Sequence, residues 1–280
     1  MLVVDGTAQG RVPDELQRMI FETAARGDDT VARQLILVSR NVRTCQQHAE
    51  AFFETIVVRP QGFFSPIVTS LAIGDSVTLQ QSKAILAACS QSVVNFAVYT
   101  NARNPSIALP FIRSHSVRQL SLKSTHCAEL SFPPTLLANL SHLTILDGPY
   151  SWFQMREAVR NAKNAIKSGC LGTTAHPFMS LTHFATCSQN WGSTQPLLKL
   201  AAKLRYFIVV VPPYFKAAPV IAQRIQEIGD RRMVLVEYSP TIDNWESSIR
   251  GTTPGIWERA EKLVEDGYFA ENVDVRKWDL

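Results

Sequence analysis

The chain has 280 residues, 46% of them hydrophobic and 19% charged, which permits a sizeable core and excludes a largely disordered polymer. Its 28 Lys and Arg against 24 Asp and Glu leave a net charge of +4, too mild by itself to argue for a nucleic-acid partner. Asp5 and Gly6 cut short the apolar start, the longest apolar stretch (206–211) is far too short for a bilayer, and the scattered Cys45, Cys89, Cys127, Cys170 and Cys187 form no Cys-x-x-Cys pair, so the expectation is a soluble protein of the cytoplasm or nucleus with reduced thiols and no membrane contact.

Residues 12–54 read as a small module of three helices. Pro13 suits a first helical turn, Leu16, Met19, Ile20 and Ala24 follow at steps of three and four, and Gly27 can end the helix. Asp28 or Asp29 can cap a second helix that carries Val31, Leu35 and Val38, and a third runs from about Arg43 to Phe53. Three short helices make a marginal core, so such a module leans on a neighbour or a partner. Val12, Phe21 and Leu37 fall off the main faces; they either pack internally or form a patch that a partner covers. Residues 55–59 read as a strand that opens the second domain, 55–280.

That second domain has a period. A pattern of apolar, two residues, apolar, one residue, apolar occurs at Val68-Leu71-Ile73, Val93-Phe96-Val98, Val117-Leu120-Leu122 and Leu140-Leu143-Ile145. It returns as Leu181-Phe184 and as Leu204-Phe207-Val209. The middle positions advance by 25, 24, 23, 41 and 23 residues. The last two apolar positions share one face of a strand, and helical stretches lie between, as at Lys83–Cys89, Leu109–Ile112 and Pro196–Leu204. One strand and one helix cannot bury their own apolar faces, but stacked copies can. The predicted fold is α/β: a solenoid with a parallel sheet on one side and helices on the other. Residues between the apolar strand positions then point to an open sheet face: Asn95, Tyr99, Gln119, Lys123, His142, Thr144, His183 and Tyr206. Tyr, His and Asn held rigidly are plausible contacts for a protein substrate.

The step of 41 residues holds a further helix. Ser151 and Gln154 form a capping-box pair, Trp152, Met155, Val159, Ala162 and Ile166 share a face, and Gly169 suits the C-terminal stop. Its other face carries Arg156, Arg160, Lys163 and Lys167, read as a solvated face, with a site for nucleic acid or an acidic partner as the alternative. Cys170, His176, His183 and Cys187 are zinc-ligand types, but their spacings match no paired-ligand motif, and no metal or cofactor is expected. A last helix takes Pro254 in its first turn, with Trp257, Ala260 and Val264 on one face and Gly267 as its stop. Trp245 and Trp257 are expected to seal the last repeat, since solenoid ends need covering.

The N-terminal residues resemble an F-box. Val12-Pro13-Asp14-Glu15-Leu16, Ile20-Phe21 and Leu37-Val38-Ser39-Arg40 stand where that family has Leu-Pro-x-Glu-Leu, Ile-Phe and Leu-Val-Cys-Arg. The whole chain looks similar to the F-box-like proteins of mushroom-forming basidiomycete fungi. Ile85-Leu86-Ala87-Ala88-Cys89 and the tail residues Trp245-Glu246, Arg250-Gly251, Trp257 and Ala260-Glu261 have counterparts there. Val12 replaces the usual Leu, and Asn41-Val42-Arg43 stands where a tryptophan is usual. The repeats look like an irregular leucine-rich-repeat solenoid; of the turn positions Ser76, Asn101, Thr125 and Gly148, only Asn101 has the ladder asparagine.

The resemblance implies a non-catalytic substrate-recognition adaptor of an SCF-type (Skp–cullin–F-box) ubiquitin ligase. A Skp-type adaptor would dock at Val12, Pro13, Leu16, Ile20, Phe21, Leu37 and Val38, and the solenoid with its C-terminal capping helix would hold an unknown protein substrate. The alternative is a repeat scaffold whose helical module docks no ligase. A divergent hydrolase is the third reading. Neither a phosphate-binding glycine loop nor a Gly-x-Ser-x-Gly elbow is present, and Gly74-Asp75-Ser76 sits where a repeat needs a turn.

Overall fold

The computed structural model describes residues 53, 56–57, 64, 68–74, 77–89, 91–99, 116–123, 134–146, 160, 178–187, 191–213, 215–239, 241–249 and 251–267. The chain forms two compact units, Met1–Leu35 and Ile36–Leu280, and every described residue belongs to the second. The helical module expected at 12–54, with the docking residues proposed for it from sequence, lies outside the described residues apart from Phe53, which is helical.

Along the second unit run β1 (Ser70–Gly74), α1 (Leu79–Cys89), β2 (Asn95–Tyr99), β3 (Gln119–Lys123), α2 (Pro134–Asn139), β4 (His142–Ile145), β5 (His183–Thr186), α3 (Trp191–Leu200), β6 (Tyr206–Val211), α4 (Ala218–Ile228), β7 (Met233–Glu237), α5 (Ile242–Ile249) and α6 (Ile256–Glu265). The seven strands form one sheet in the order β1-β2-β3-β4-β5-β6-β7, every pair parallel. Each strand thus pairs with the next one in sequence, as stacked strand–helix units require.

The register makes the period visible. Leu71, Phe96, Leu120, Leu143, Phe184, Phe207 and Met233 stand side by side across the whole sheet. The first apolar positions, Val68, Val93, Val117, Leu140, Leu181 and Leu204, are all buried in the same core. The period seen in the sequence is therefore the step from one strand to the next. It continues once more, to Met233 and Leu235, where the leading apolar position is replaced by Asp230. That carboxylate takes two hydrogen bonds from the Arg232 guanidinium, at 2.9 and 2.7 Å, and Arg232 also donates to the Leu198 carbonyl at 2.9 Å. A tethered ion pair thus stands at this turn instead of a buried aliphatic.

A row of hydrogen bonds stitches the units at the entrance to the strands. The Thr69 carbonyl accepts from the N–H groups of Val94 and Asn95, Val94 from Arg118 and Gln119, Arg118 from Ser141 and His142, Ser141 from Thr182 and His183, and Thr182 from Arg205 and Tyr206. Hydroxyls reinforce the row. Ser92 donates to the Val68 carbonyl and Ser116 to that of Val93, both at 2.9 Å, while Ser141 and Thr182 reach the carbonyls of Arg118 and Ser141 at 3.1 Å. Buried backbone groups need such partners, and here serine and threonine supply them.

Helices α1 to α4 all pack on one face. Ile85, Leu86 and Cys89 of α1, Leu136 and Leu137 of α2, Leu197 and Leu198 of α3, and Ile221 and Ile225 of α4 join the core built on the Leu71–Met233 row. Three sequence expectations are corrected. Ile56 and Val57 are helical, so the first strand of the sheet is β1 and not 55–59. The β-branched run Ile56-Val57-Val58 favours a strand only as a weak prior, and Ile56 instead packs against the helix-side core. The helix expected at 196–204 begins at Trp191 and ends at Leu200.

The third correction concerns the far face of the sheet, which is not open along its length. A second core of Ala97, Ala185, Ile208, Val210, Val234 and Val236 lies beneath Ile256 and Ala260 of α6, with Trp245 of α5 packed against it. Parallel strands covered on both faces read as continuous apolar runs, and Tyr206-Phe207-Ile208-Val209-Val210-Val211 is one. Gly255, buried at the N-cap of α6, permits this arrangement: a side-chain carbon there would run into Ser248 of α5. The helix predicted at 151–169 lies outside the described residues except Arg160, which is helical and exposed. No described helix is long and apolar enough to cross a membrane.

Candidate functional site

The first residues of five neighbouring strands form one row on the second sheet face. Asn95, Gln119, His142, His183 and Tyr206 stand in register, so sequence residues far apart become lateral neighbours. Five of the eight candidate face residues are thereby brought together. Tyr99 stands four residues along β2 on the same face, in register with Lys123 of β3, whose side chain lies outside the described atoms. Asn95 Nδ2 donates to Ser70 Oγ at 3.0 Å and extends the polar row to β1.

The His142 and His183 rings stack with centroids 4.2 Å apart and planes only 9° from parallel. Tyr206 continues the stack on His183 at 4.9 Å. The parallel register causes this, since it places like positions of adjacent strands directly beside each other. The preceding hydroxyls hold both rings: Ser141 Oγ lies 2.8 Å from His142 Nδ1, and Thr182 Oγ1 lies 2.8 Å from His183 Nδ1. Each motif is therefore a hydroxyl residue followed by histidine at the start of a strand.

Helix α6 supplies the rest. Glu261 Oε1 lies 3.2 Å from His183 Nε2. A carboxylate only accepts, so Nε2 carries the proton and Nδ1 of the neutral ring is an acceptor, with the single Thr182 hydroxyl proton shared between it and the Ser141 carbonyl. Trp257 meets His142 and His183 edge-on at 5.2 and 5.6 Å. Trp245 and Trp257 pack, as expected, against the core that holds Val234 and Val236 of the last strand, and Trp257 also reaches the middle of the sheet.

Burial is the first cause that lowers both histidines from their ordinary 6.5 to about 4. For His142 the neighbouring His183 adds to the effect and Glu261 opposes it; for His183 Arg205 adds to it. Two stacked imidazoles cannot both take a proton cheaply, so the pair is neutral at physiological pH. Burial also raises the Tyr99 hydroxyl, with the nearby Ser121 opposing the effect, and pushes Tyr238 up to about 12.

Thr182, His183 and Glu261 follow the order hydroxyl, imidazole, carboxylate. Thr182 belongs to the same row as Ser92, Ser116 and Ser141, and its oxygen is also within 3.1 Å of the Ser141 carbonyl, so repeat geometry accounts for its place. Of the four zinc-ligand types, Cys170 and His176 lie outside the described residues, and both His183 ring nitrogens have protein partners. Ser76 also lies outside them.

A cleft of about 280 Å³ remains between this face and the C-terminal helices, lined by Asn95, Tyr99, Gln119, Ser121, His142 and Thr144 from the sheet and by Trp245, Ser248, Trp257, Glu258 and Glu261 from α5 and α6. Sequence reasoning assigned no recognition role to the helical half of this site. The signal was present in the unbroken apolar runs of β6 and β7, which require cover on both faces, while β3 and β4 alternate apolar with polar where the cleft lies. Compared with protein-family models, curated proteins and solved structures, the chain matches none of them.

Proposed function

We propose that this chain is a non-catalytic protein-binding adaptor of the F-box type. In this reading its N-terminal module docks a Skp-type adaptor through Val12, Pro13, Leu16, Ile20, Phe21, Leu37 and Val38, and its leucine-rich-repeat-type solenoid presents a protein substrate for ubiquitin transfer. The observation that carries the reading is the sheet of seven parallel strands in sequence order, on which Asn95, Gln119 and His142 still line an open cleft. Stacked strand–helix units build extended recognition surfaces, and rigid aromatic and polar side chains suit protein contacts.

Co-purification with a fungal Skp adaptor tests the proposal, with a Pro13→Ala/Leu16→Ala double variant beside the unaltered chain. A stable complex that the double variant loses is the expected result. If both chains are folded and neither binds, the ligase link is wrong and the protein is a repeat scaffold.

A further inference from the structure

Three features of the cleft point to the same chemistry. Among the described residues that line it, the formally charged side chains are both carboxylates, Glu258 and Glu261. Glu258 is exposed; Glu261 is half-buried and holds His183 through one oxygen, leaving the other available. Aromatic rings form much of the remaining wall, with Trp245 and Trp257 from the helices and Tyr99 from the sheet. Finally, Thr144 is only 3% exposed, lines the cleft, and makes no hydrogen bond among the described residues. Its oxygen has no protein partner among the described residues and is not sealed from solvent, so it faces the cleft as an acceptor that a ligand donor can reach.

Among the described side chains, the nearby cations Arg205 and Arg259 are engaged elsewhere. Arg205 lies over the Tyr206 ring at 5.9 Å; Arg259 lies over the Tyr238 ring at 5.5 Å and donates to the Pro254 carbonyl at 3.0 Å. Neither lines the cleft. Two carboxylates beside aromatic rings repel anions and favour a cation that can also stack.

We propose that this cleft binds a guanidinium group, the end of an arginine side chain. Guanidinium is planar, it stacks on aromatic rings, and its donor fork matches carboxylates and a hydroxyl at once. An ammonium offers a point charge without the plane. A cavity of about 280 Å³ lies at the lower end of ligand-site sizes and suits one side chain. The inference does not rest on the N-terminal module: a chain that fails to bind a Skp adaptor would still bind arginine here.

Isothermal titration of the full chain with N-acetyl-arginine amide, followed in parallel by tryptophan fluorescence, tests the proposal. The citrulline analogue is the control, since it keeps the shape and lacks the charge. The blocked arginine is expected to bind saturably, and citrulline to bind at least about tenfold more weakly. Glu258→Gln removes an exposed carboxylate without touching the core and should weaken arginine about tenfold. Thr144→Val should weaken it with an unchanged circular dichroism spectrum. Free arginine binding as tightly as the blocked form, or an arginine peptide binding more tightly than either, supports the site and assigns the source as a small molecule or a polypeptide. No saturable binding, equal binding of citrulline, or an unchanged Glu258→Gln variant overturns the proposal.

Discussion

His183 shows how much one side chain is asked to do in this sheet. It is 5% exposed, stacked between His142 and Tyr206, touched on one nitrogen by Thr182 and on the other by Glu261. Burial holds it and His142 neutral, at about 4 against an ordinary 6.5. The sign of the pH effect follows. A group whose folded value is depressed adds stability that is complete above its unfolded value and is lost as pH falls towards the folded one. The window is therefore 6.5 down to about 4. Asp230, held below its ordinary 3.8 by hydrogen bonds from Arg232, loses its contribution only at still lower pH. Melting temperatures should be level from pH 8 to 6.5 and then fall towards pH 4.5, and a His142→Gln/His183→Gln variant should fall less over that window. Identical slopes for the two proteins would show that these rings do not set the acid limit.

At the scale of the element, the strand row is the unit of stability. Phe184 is 0% exposed, meets Phe207 at 5.1 Å and stands between Leu143 and Phe207 in the sheet. Phe184→Ala removes a ring from the middle of that row and should cost roughly 3–5 kcal/mol in chemical denaturation. A loss below about 1 kcal/mol, within the range of ordinary surface substitutions, would contradict the packing described. The strands were legible because apolar residues two apart recur with a nearly constant step, and the register places those same residues side by side. The last unit was hidden by Asp230, a polar residue at an apolar position, whose role depends on Arg232 and on a carbonyl 34 residues away. The strand expected at 55–59 failed for the opposite reason: local β-propensity was followed where tertiary packing decides.

At the scale of the whole molecule, the sheet carries two kinds of face. One is covered by α1 to α4. The other is apolar under α6 and polar at β3 and β4, where the cleft lies. The candidate face residues were legible from alternation, because a strand with one polar side betrays the direction of each side chain. Their partners were not. Trp257, Glu258 and Glu261 come from a helix late in the chain, and helical periodicity marks an apolar face without saying which surface that face covers. Two-sided cover of the sheet was written only in the unbroken apolar runs of β6 and β7.

The account depends most on the placement of α6 across the histidine row, since the cleft and its carboxylates exist only if that helix lies there. Nuclear Overhauser contacts from the Trp257 indole measure it directly. Cross-peaks to the ring protons of both His142 and His183, at centroid separations of 5.2 and 5.6 Å, are the predicted result. A folded protein whose Trp257 indole shows neither contact would contradict the site described.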